Sequence, residues 1–267
     1  MSETEETTAG RGMGQTLRKP AIIAIARREG KVTVDGLVEH FGVAPQTIRR
    51  DLTELAETGQ LERVHGGAIL PSTTMNIGYS ERREIKQSAK VDIARRCAAE
   101  IPNDCSIFLN IGTTTEAVAA ELLNHEGLLV VTNNINIALI LSGNVGVEVV
   151  VTGGNLRRAD GGLIGDFASQ IIKQLRFDYA VIGCSALHED GDILDFDIQE
   201  VGVSKTIIRQ SEQVFLVADS SKFERKAPAR ISSLAEVDVF FTDRSPPLPF
   251  QQFCTEKKTR IELCAKK

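Results

Sequence analysis

The chain has 267 residues, 42% hydrophobic and 25% charged, with 31 Lys and Arg against 36 Asp and Glu for a net charge of −5, a globular composition with room for one large domain and one small one. No stretch approaches the roughly 20 apolar residues of a membrane helix, and the opening MSETEETTAG is acidic and polar where a signal peptide is basic and then apolar, so the expected location is the cytoplasm, with no membrane partner. Five scattered cysteines, Cys97, Cys105, Cys184, Cys254 and Cys264, form no CxxC pair and fit reduced thiols rather than disulfides or a metal site, and no cofactor is implied.

The negative charge is unevenly spread. Residues 1–10 contribute −3, residues 11–70 carry nine Lys/Arg against seven Asp/Glu for +2, and the remainder carries −4. Within 15–70, the apolar density of PAIIAIARR predicts a buried first helix with Pro20 in its first turn, ending near Gly30. Lys31–Asp35 is a short extended link. Val34–Phe41 has helical spacing and is closed by Gly42 in the place of a C-terminal cap. Pro45 then opens a third helix in which Ile48, Leu52 and Leu55 share one face, turning Gln46, Thr47, Arg49, Arg50 and Thr53 away from the core; Gly59 stops it. Gln60–Leu70 alternates about Gly66-Gly67 and reads as a hairpin that carries Arg63 and His65.

Helix, short helix, tight turn, and a helix with cationic and polar residues at its exposed start is the plan by which a recognition helix enters the major groove. Arg can contact guanine, Gln adenine, and Thr a thymine methyl or a phosphate. The bland alternative for Arg49 and Arg50 is a solvated face paired to Asp51 and Glu54. The surrounding helices and the wing favour DNA, read by Gln46, Thr47, Arg49, Arg50, Arg63 and His65. On the motifs TIRRDL (Thr47–Leu52) and RVHGGA (Arg63–Ala68), residues 15–70 resemble the winged helix-turn-helix of the DeoR family of bacterial repressors. Ala44 departs from the capping Ser common in that family, and losing such a cap costs on the order of 1 kcal/mol locally.

Residues 71–84, PSTTMNIGYSERRE, lack apolar periodicity and read as a flexible linker. From 85 to 267, strand-like runs alternate with helical ones. Strands are predicted at Cys105–Asn110, Leu128–Thr132, Val147–Thr152, Tyr179–Gly183, Val214–Ala218 and Val237–Thr242, and helices near Lys86–Glu100, Thr114–Leu123, Asn134–Leu141, Gly165–Leu175 and Gln199–Gln210. The fold class is therefore α/β: a winged helix-turn-helix followed by a larger parallel-sheet domain covered on both faces, with ligands bound at the carboxyl ends of the strands.

The loops at those ends share a chemistry. Asn110-Ile111-Gly112-Thr113-Thr114-Thr115 offers a close backbone approach and hydroxyls at a helix N-terminus, a place for a phosphate. Thr132-Asn133-Asn134, Thr152-Gly153-Gly154, Gly183-Cys184-Ser185 and Ala218-Asp219-Ser220-Ser221-Lys222 follow later strands. Singly, each loop is ordinary turn and capping chemistry. Together they suggest a polar anionic ligand, with Lys205, Lys222, Arg157 or Arg225 as cationic contacts and Asp195, Asp197, Glu200 and Asp219 as partners of hydroxyls or orienters of the lysines.

Residues 85–242 are similar to the DeoR-family effector domain, whose fold resembles ribose-5-phosphate isomerase and related sugar-phosphate enzymes. The resemblance runs through IPNDCSIFLNIGTTTEAVA, LLNHEGLLVVTNNINIA, DGGLIGD, DFDIQEV and VADSSKF. It implies a homo-oligomeric repressor, dimer or tetramer, that leaves operator DNA when a phosphorylated metabolite binds. It further implies glycerol 3-phosphate as that metabolite, with Thr113, Thr114 and Thr115 near the phosphate and Lys205 and Lys222 as further contacts. An isomerase using Asp195, Asp197 or Glu200 with Lys205 is a competing reading, but glycerol 3-phosphate has no carbonyl for that chemistry. A third reading is an architectural DNA-binding protein that no metabolite affects.

Overall fold

The computed structural model describes residues 15–29, 31–70 and 77–264. It divides into two units, one ending at residue 72 and the other starting at residue 73. Expectations for the acidic opening residues, for Gly30 and for 71–76 of the linker lie outside the described residues. Among the described residues no helix is long and apolar enough to cross a membrane.

The first unit contains α1 (Gln15–Glu29), β1 (Lys31–Thr33), α2 (Val34–Phe41), α3 (Pro45–Glu57), β2 (Glu62–Val64) and β3 (Gly67–Ile69). Its core joins Ile22 and Ala26 of α1, Leu37 and Phe41 of α2, and Ile48, Leu52 and Leu55 of α3, all at most 2% exposed. Thr33 caps α2 by accepting from the Gly36 amide, and Gly42 ends it in the left-handed region at φ 64°. Pro20 falls inside α1 rather than in its first turn, with its ring on the exposed side.

The extended link at Lys31–Thr33 is a strand of the wing: the sheet order is β1-β3-β2, with Val32 opposite Ala68. The wing's turn lies at His65-Gly66, and Gly67 is already in β3. A Cβ on Gly67 would lie 1.9 Å from the Val32 carbonyl oxygen, so only glycine admits the third strand there.

Asp51 is buried and accepts from Nε of buried Arg18, which ties α3 to α1. It lies three residues after Ile48 and four before Leu55, which places it on the apolar face rather than beside Arg49 and Arg50.

The second unit runs through α4 (Tyr79–Glu84), α5 (Gln87–Ala98), β4 (Ser106–Leu109), α6 (Thr113–Glu121), β5 (Leu128–Thr132), α7 (Ile135–Leu141), β6 (Val147–Val151), β7 (Asn155–Arg157) and β8 (Gly162–Ile164). It continues with α8 (Asp166–Ile172), β9 (Phe177–Ile182), β10 (Ala186–Leu187), β11 (Asp192–Asp195), α9 (Ile198–Arg209), β12 (Ser211–Val217), β13 (Ala229–Ser233), β14 (Val239–Thr242), α10 (Leu248–Lys257) and β15 (Arg260–Leu263).

Seven strands form one sheet of order β15-β14-β12-β9-β4-β5-β6, and every pairing is parallel. Alternate residues feed two cores: Phe108, Ile182, Leu216 and Phe240 on one face, Ile107, Leu109, Val181, Val217 and Phe241 on the other. Strand order reverses between β4 and β9, so the loops after these two strands diverge and open a crevice. The β7–β8 hairpin and the small antiparallel sheet β10-β11-β13 add to the expected alternation. The C-terminal half of the expected linker is α4, part of the second unit, anchored by buried Ile77 and by Tyr79.

Asp51→Ala is expected to destabilise the DNA-binding unit by about 3 kcal/mol, because it leaves a buried Arg18 without its carboxylate. Urea denaturation followed by a probe in that unit measures this; a loss below about 1 kcal/mol would show that Asp51 does not hold α1 to α3.

Candidate functional site

In the first unit, α3 starts at Pro45 with no side-chain cap on Ala44. Gln46, Arg49 and Arg50 are exposed and Thr47 is half-buried; Gln46, Arg49, Arg50 and Thr53 line a shallow groove of about 500 Å³ together with Glu54 and Glu57. Arg50 Nε donates to Glu54 Oε1 at 2.9 Å, and Glu54 also accepts from Lys19; bonds from Lys19 and then Arg50 hold the Glu54 carboxyl low. Part of the bland reading is thus present at Arg50.

Arg49 faces a different neighbour. The Arg63 guanidinium is depressed by burial and then by the charge of Arg49, and its Nη1 is buried with no acceptor among the described residues. Two guanidiniums that feel each other's charge favour an anion, and a phosphate backbone supplies one. His65 is exposed at the tip of the wing.

In the second unit, Gly112 opens α6 at φ 153°, a conformation that favours glycine. Thr113 is half-buried, Thr114 is 6% exposed, and Thr115 is fully buried with Oγ1 donating to the Gly112 carbonyl at 2.7 Å. Two of the three threonine side chains therefore build the helix start, and the backbone amides carry its attraction for anions.

The loops after β5 and β6 are largely committed to structure. Asn134 caps α7 and donates to Glu116, Asn133 Nδ2 donates to the Leu163 carbonyl at 3.1 Å, and a Cβ on Gly154 would lie 2.9 Å from the Ile164 oxygen. Gly153 packs on the Phe167 ring. Asn133 Oδ1 is buried with no donor among the described residues.

The loop after β12 holds two cations, Lys222 and Arg225. Lys222 is half-buried; burial pushes its ammonium down, Asp219 opposes this, and Arg225 and Arg82 push it down further. Asp219 is fully buried: burial pushes its carboxyl up, Lys222 and a hydrogen bond from Ser221 reverse this, and Oδ2 has no donor among the described residues.

Lys90 of α5, which sequence reasoning missed, joins them. Only 4% exposed, it is pushed down to about 8 by burial first and then by Lys222, with Asp219 and Glu116 of α6 opposing. It is therefore within electrostatic reach of both the first turn of α6 and the Asp219–Lys222 loop. Arg225 is also buried, with its guanidinium 5.9 Å from the centre of the Phe196 ring.

Ser185 Oγ donates to Asp195 Oδ2 at 3.1 Å, which joins the β9 loop to β11. Lys205 is not part of this group. It is exposed seven residues along α9 from Ile198, roughly 10 Å of helix rise, and lines another groove with Arg209, Arg230 and Glu236.

Residues 18–74 match the DeoR-like helix-turn-helix domain and residues 85–244 the DeoR C-terminal sensor domain. The glycerol-3-phosphate regulon repressor of Escherichia coli (strain K12) is 44% identical over 252 residues, 94% of this chain and 100% of that one.

The chain belongs to the DeoR family.

A glycerol-3-phosphate regulon repressor from Haemophilus influenzae is likewise 44% identical over 94% of this chain and 98% of that one. Ribose 5-phosphate isomerase from Plasmodium falciparum superposes over 51% of this chain and 52% of that one, with a TM-score of 0.38 and 15% identity. The family consists of transcriptional regulators, and these two relatives are repressors, which sets the isomerase reading aside.

This DeoR-family regulator also gathers three carboxylates around Arg157. The guanidinium donates from Nε and Nη2 to Asp160 at 2.9 and 2.8 Å, from Nη1 to Asp197 Oδ2 at 2.7 Å and from Nη2 to Glu200 Oε2 at 2.6 Å. Burial pushes Arg157 down, and its carboxylate neighbours more than reverse this. Burial and then Asp195 push Glu200 up to about 8, while Arg157 brings Asp160 below its ordinary value despite burial. Arg157, Asp160 and Asp197 line a cleft of about 570 Å³ with Tyr79, Arg82 and Phe196.

Arg157→Met removes the guanidinium from Glu200 and leaves Asp160 only its single bond from Arg82, so the folded-state pKa values of these two carboxyls rise. Protons then favour the folded state, and the loss of stability grows as pH rises. A loss of about 3 kcal/mol is expected at pH 8 and less at pH 5, read from melting curves at both. An equal loss at the two values would show that Arg157 acts by packing alone.

Proposed function

We propose that this protein is a homo-oligomeric, cytoplasmic repressor that binds operator DNA through its winged helix and releases it when glycerol 3-phosphate enters the sensor domain. The observation that carries the ligand class is the convergence of buried Lys90 and half-buried Lys222 beside the N-terminus of α6, at the reversal of strand order. Burying ammonium groups together is unfavourable unless an anion compensates them. A phosphate at the α6 amides meets both lysines, and Asp219 Oδ2, which lacks a donor among the described residues, accepts from a hydroxyl of the ligand. The 44% identity to two glycerol-3-phosphate regulon repressors supports glycerol 3-phosphate as that phosphate ester.

On DNA, Arg49 and Arg63 form the contact group, with Gln46 and Thr47 at base edges and His65 at the wing tip. A dimer or a tetramer presents two such units to two half-sites. Release follows only if the ligand prefers the conformation that holds DNA poorly.

Arg49→Ala is expected to weaken operator binding by about tenfold, the value of one good base or phosphate contact, and to leave glycerol 3-phosphate affinity unchanged. Fluorescence anisotropy with labelled operator, beside calorimetry with the ligand, checks both; unchanged DNA affinity would remove Arg49 from the interface. In the sensor domain, Lys222→Ala should retain operator binding but need at least tenfold more glycerol 3-phosphate for half-release. Titrating a panel of three- to six-carbon phosphate esters against the wild-type complex identifies the effector. Release by another ester in preference to glycerol 3-phosphate would establish a different sugar phosphate as the signal.

A further inference from the structure

The helix that first follows the boundary between the two units is fastened to the sensor domain by groups that also surround the anion site. Tyr79 of α4 donates its hydroxyl to Glu116 Oε2 at 2.8 Å and accepts from Asn136 Nδ2 at 3.0 Å. Glu116 belongs to the first turn of α6. Three residues on, Arg82 Nη2 donates to Asp160 Oδ2 at 3.1 Å, and its carbonyl accepts from the Lys90 ammonium. One residue of α4 is thus bonded at its backbone to a lysine of the cation group and at its side chain to the wall of the 570 Å³ cleft.

Arg82 is poorly matched to its present partners. Its Nε is buried with no acceptor among the described residues, and its contact with Asp160 is a single bond. Asp160 is already satisfied in bidentate fashion by Arg157, so it loses little when Arg82 leaves. The charge of Arg82 is felt at both Lys90 and Lys222, which places it within electrostatic reach of any anion held between them. A guanidinium with an orphaned donor, one exchangeable bond and two cationic neighbours is suited to take a share of a phosphate.

We propose that Arg82 is an effector-binding residue, and that its place on α4 makes it the group through which a bound phosphate ester acts on the connector to the DNA-binding unit. The inference rests on the effector reading above. When the anion arrives, Arg82 exchanges its bond to Asp160 for bonds to phosphate oxygens, and α4 is redrawn about its other fastening at Tyr79. Arg82 binds; Tyr79 positions the helix and touches no ligand. The two side chains therefore separate affinity from release.

The test uses the full-length protein and an operator duplex that the wild type selects from a random library. Calorimetry with glycerol 3-phosphate and with inorganic phosphate gives ligand affinity for wild type, Arg82→Gln, Arg82→Lys and Tyr79→Phe. Anisotropy gives release by saturating glycerol 3-phosphate, scaled to each variant's own ligand-free DNA affinity, and circular dichroism melting confirms that each variant is folded. Arg82→Gln should lower affinity for both probes by about tenfold or more, with Arg82→Lys recovering part of it. Tyr79→Phe should bind both probes within about twofold of wild type yet release DNA less completely. Wild-type affinity in folded Arg82→Gln overturns the binding role of Arg82, and full release in Tyr79→Phe overturns α4 as the route. A wild type that binds neither probe overturns the effector reading itself.

Discussion

A sheet whose strands all run in one direction delivers every loop that follows a strand to the same edge, and this constraint organises the sensor domain. Seven parallel strands send Gly112, Asn133, Gly153, Cys184 and Asp219 to one rim. The reversal of order between β4 and β9 keeps that rim from closing at its centre. Chemistry then accumulates where the backbone leaves space. The N-terminus of α6 contributes partial positive charge there, and Lys90 and Lys222 contribute whole charges. Their sum is unfavourable for an isolated protein: burial lowers both ammonium groups, Lys222 lowers Lys90 further and Arg225 and Arg82 lower Lys222, and the buried Asp219 compensates them only in part.

The same economy of partly compensated charge appears in the DNA-binding unit, at the opposite extreme of exposure. Asp51 is spent inside on Arg18, and Glu54 on Lys19 and Arg50, while Arg63 feels the charge of Arg49 and keeps a buried Nη1 with no acceptor among the described residues. An overall excess of two positive charges in residues 11–70 is small. Affinity for a polyanion depends on how that excess is placed, and here the acidic residues of α3 neutralise one side of the helix while the wing brings a second guanidinium to the other.

Much of this was legible in the sequence where a long pattern governs the outcome. The Ile48–Leu52–Leu55 stripe fixed the orientation of α3, and apolar runs such as Leu128–Thr132 and Val214–Val217 marked central strands. β7, β8, β10, β11, β13 and β15 contain no run of four apolar residues, which is why they escaped notice. Charged residues were the hardest to place. A lysine in a helix reads as solvent-facing, yet Lys90 is buried because α5 packs against α6 and the sheet; Lys205 shares α9 with Glu200, and the rise of the helix carries it away. Asp51 was readable in principle, since its spacing from Ile48 and Leu55 puts it on the core face, but its charge argued the other way. The helix at Tyr79–Glu84 shows the reverse error. Its sequence lacks an apolar stripe because, beyond the buried Ile77 that precedes it, its own residues are fastened by hydrogen bonds and ion pairs.

That last difference bears on regulation. A helix docked by an apolar face is released only at the cost of its buried area, whereas one held by a tyrosine hydroxyl, one guanidinium bond and one ammonium is changed by exchanging partners. Each such bond contributes about 1–3 kcal/mol, and an allosteric coupling of 5- to 150-fold requires about 1–3 kcal/mol in total. The energy needed to move the equilibrium between DNA-binding and released forms is therefore of the size that one exchanged bond supplies. The large apolar cores on both sheet faces contribute the rigidity against which such an exchange would be felt. On the proposed exchange at Arg82, α4 is fastened with the same kind of interaction that would recognise a phosphate ester.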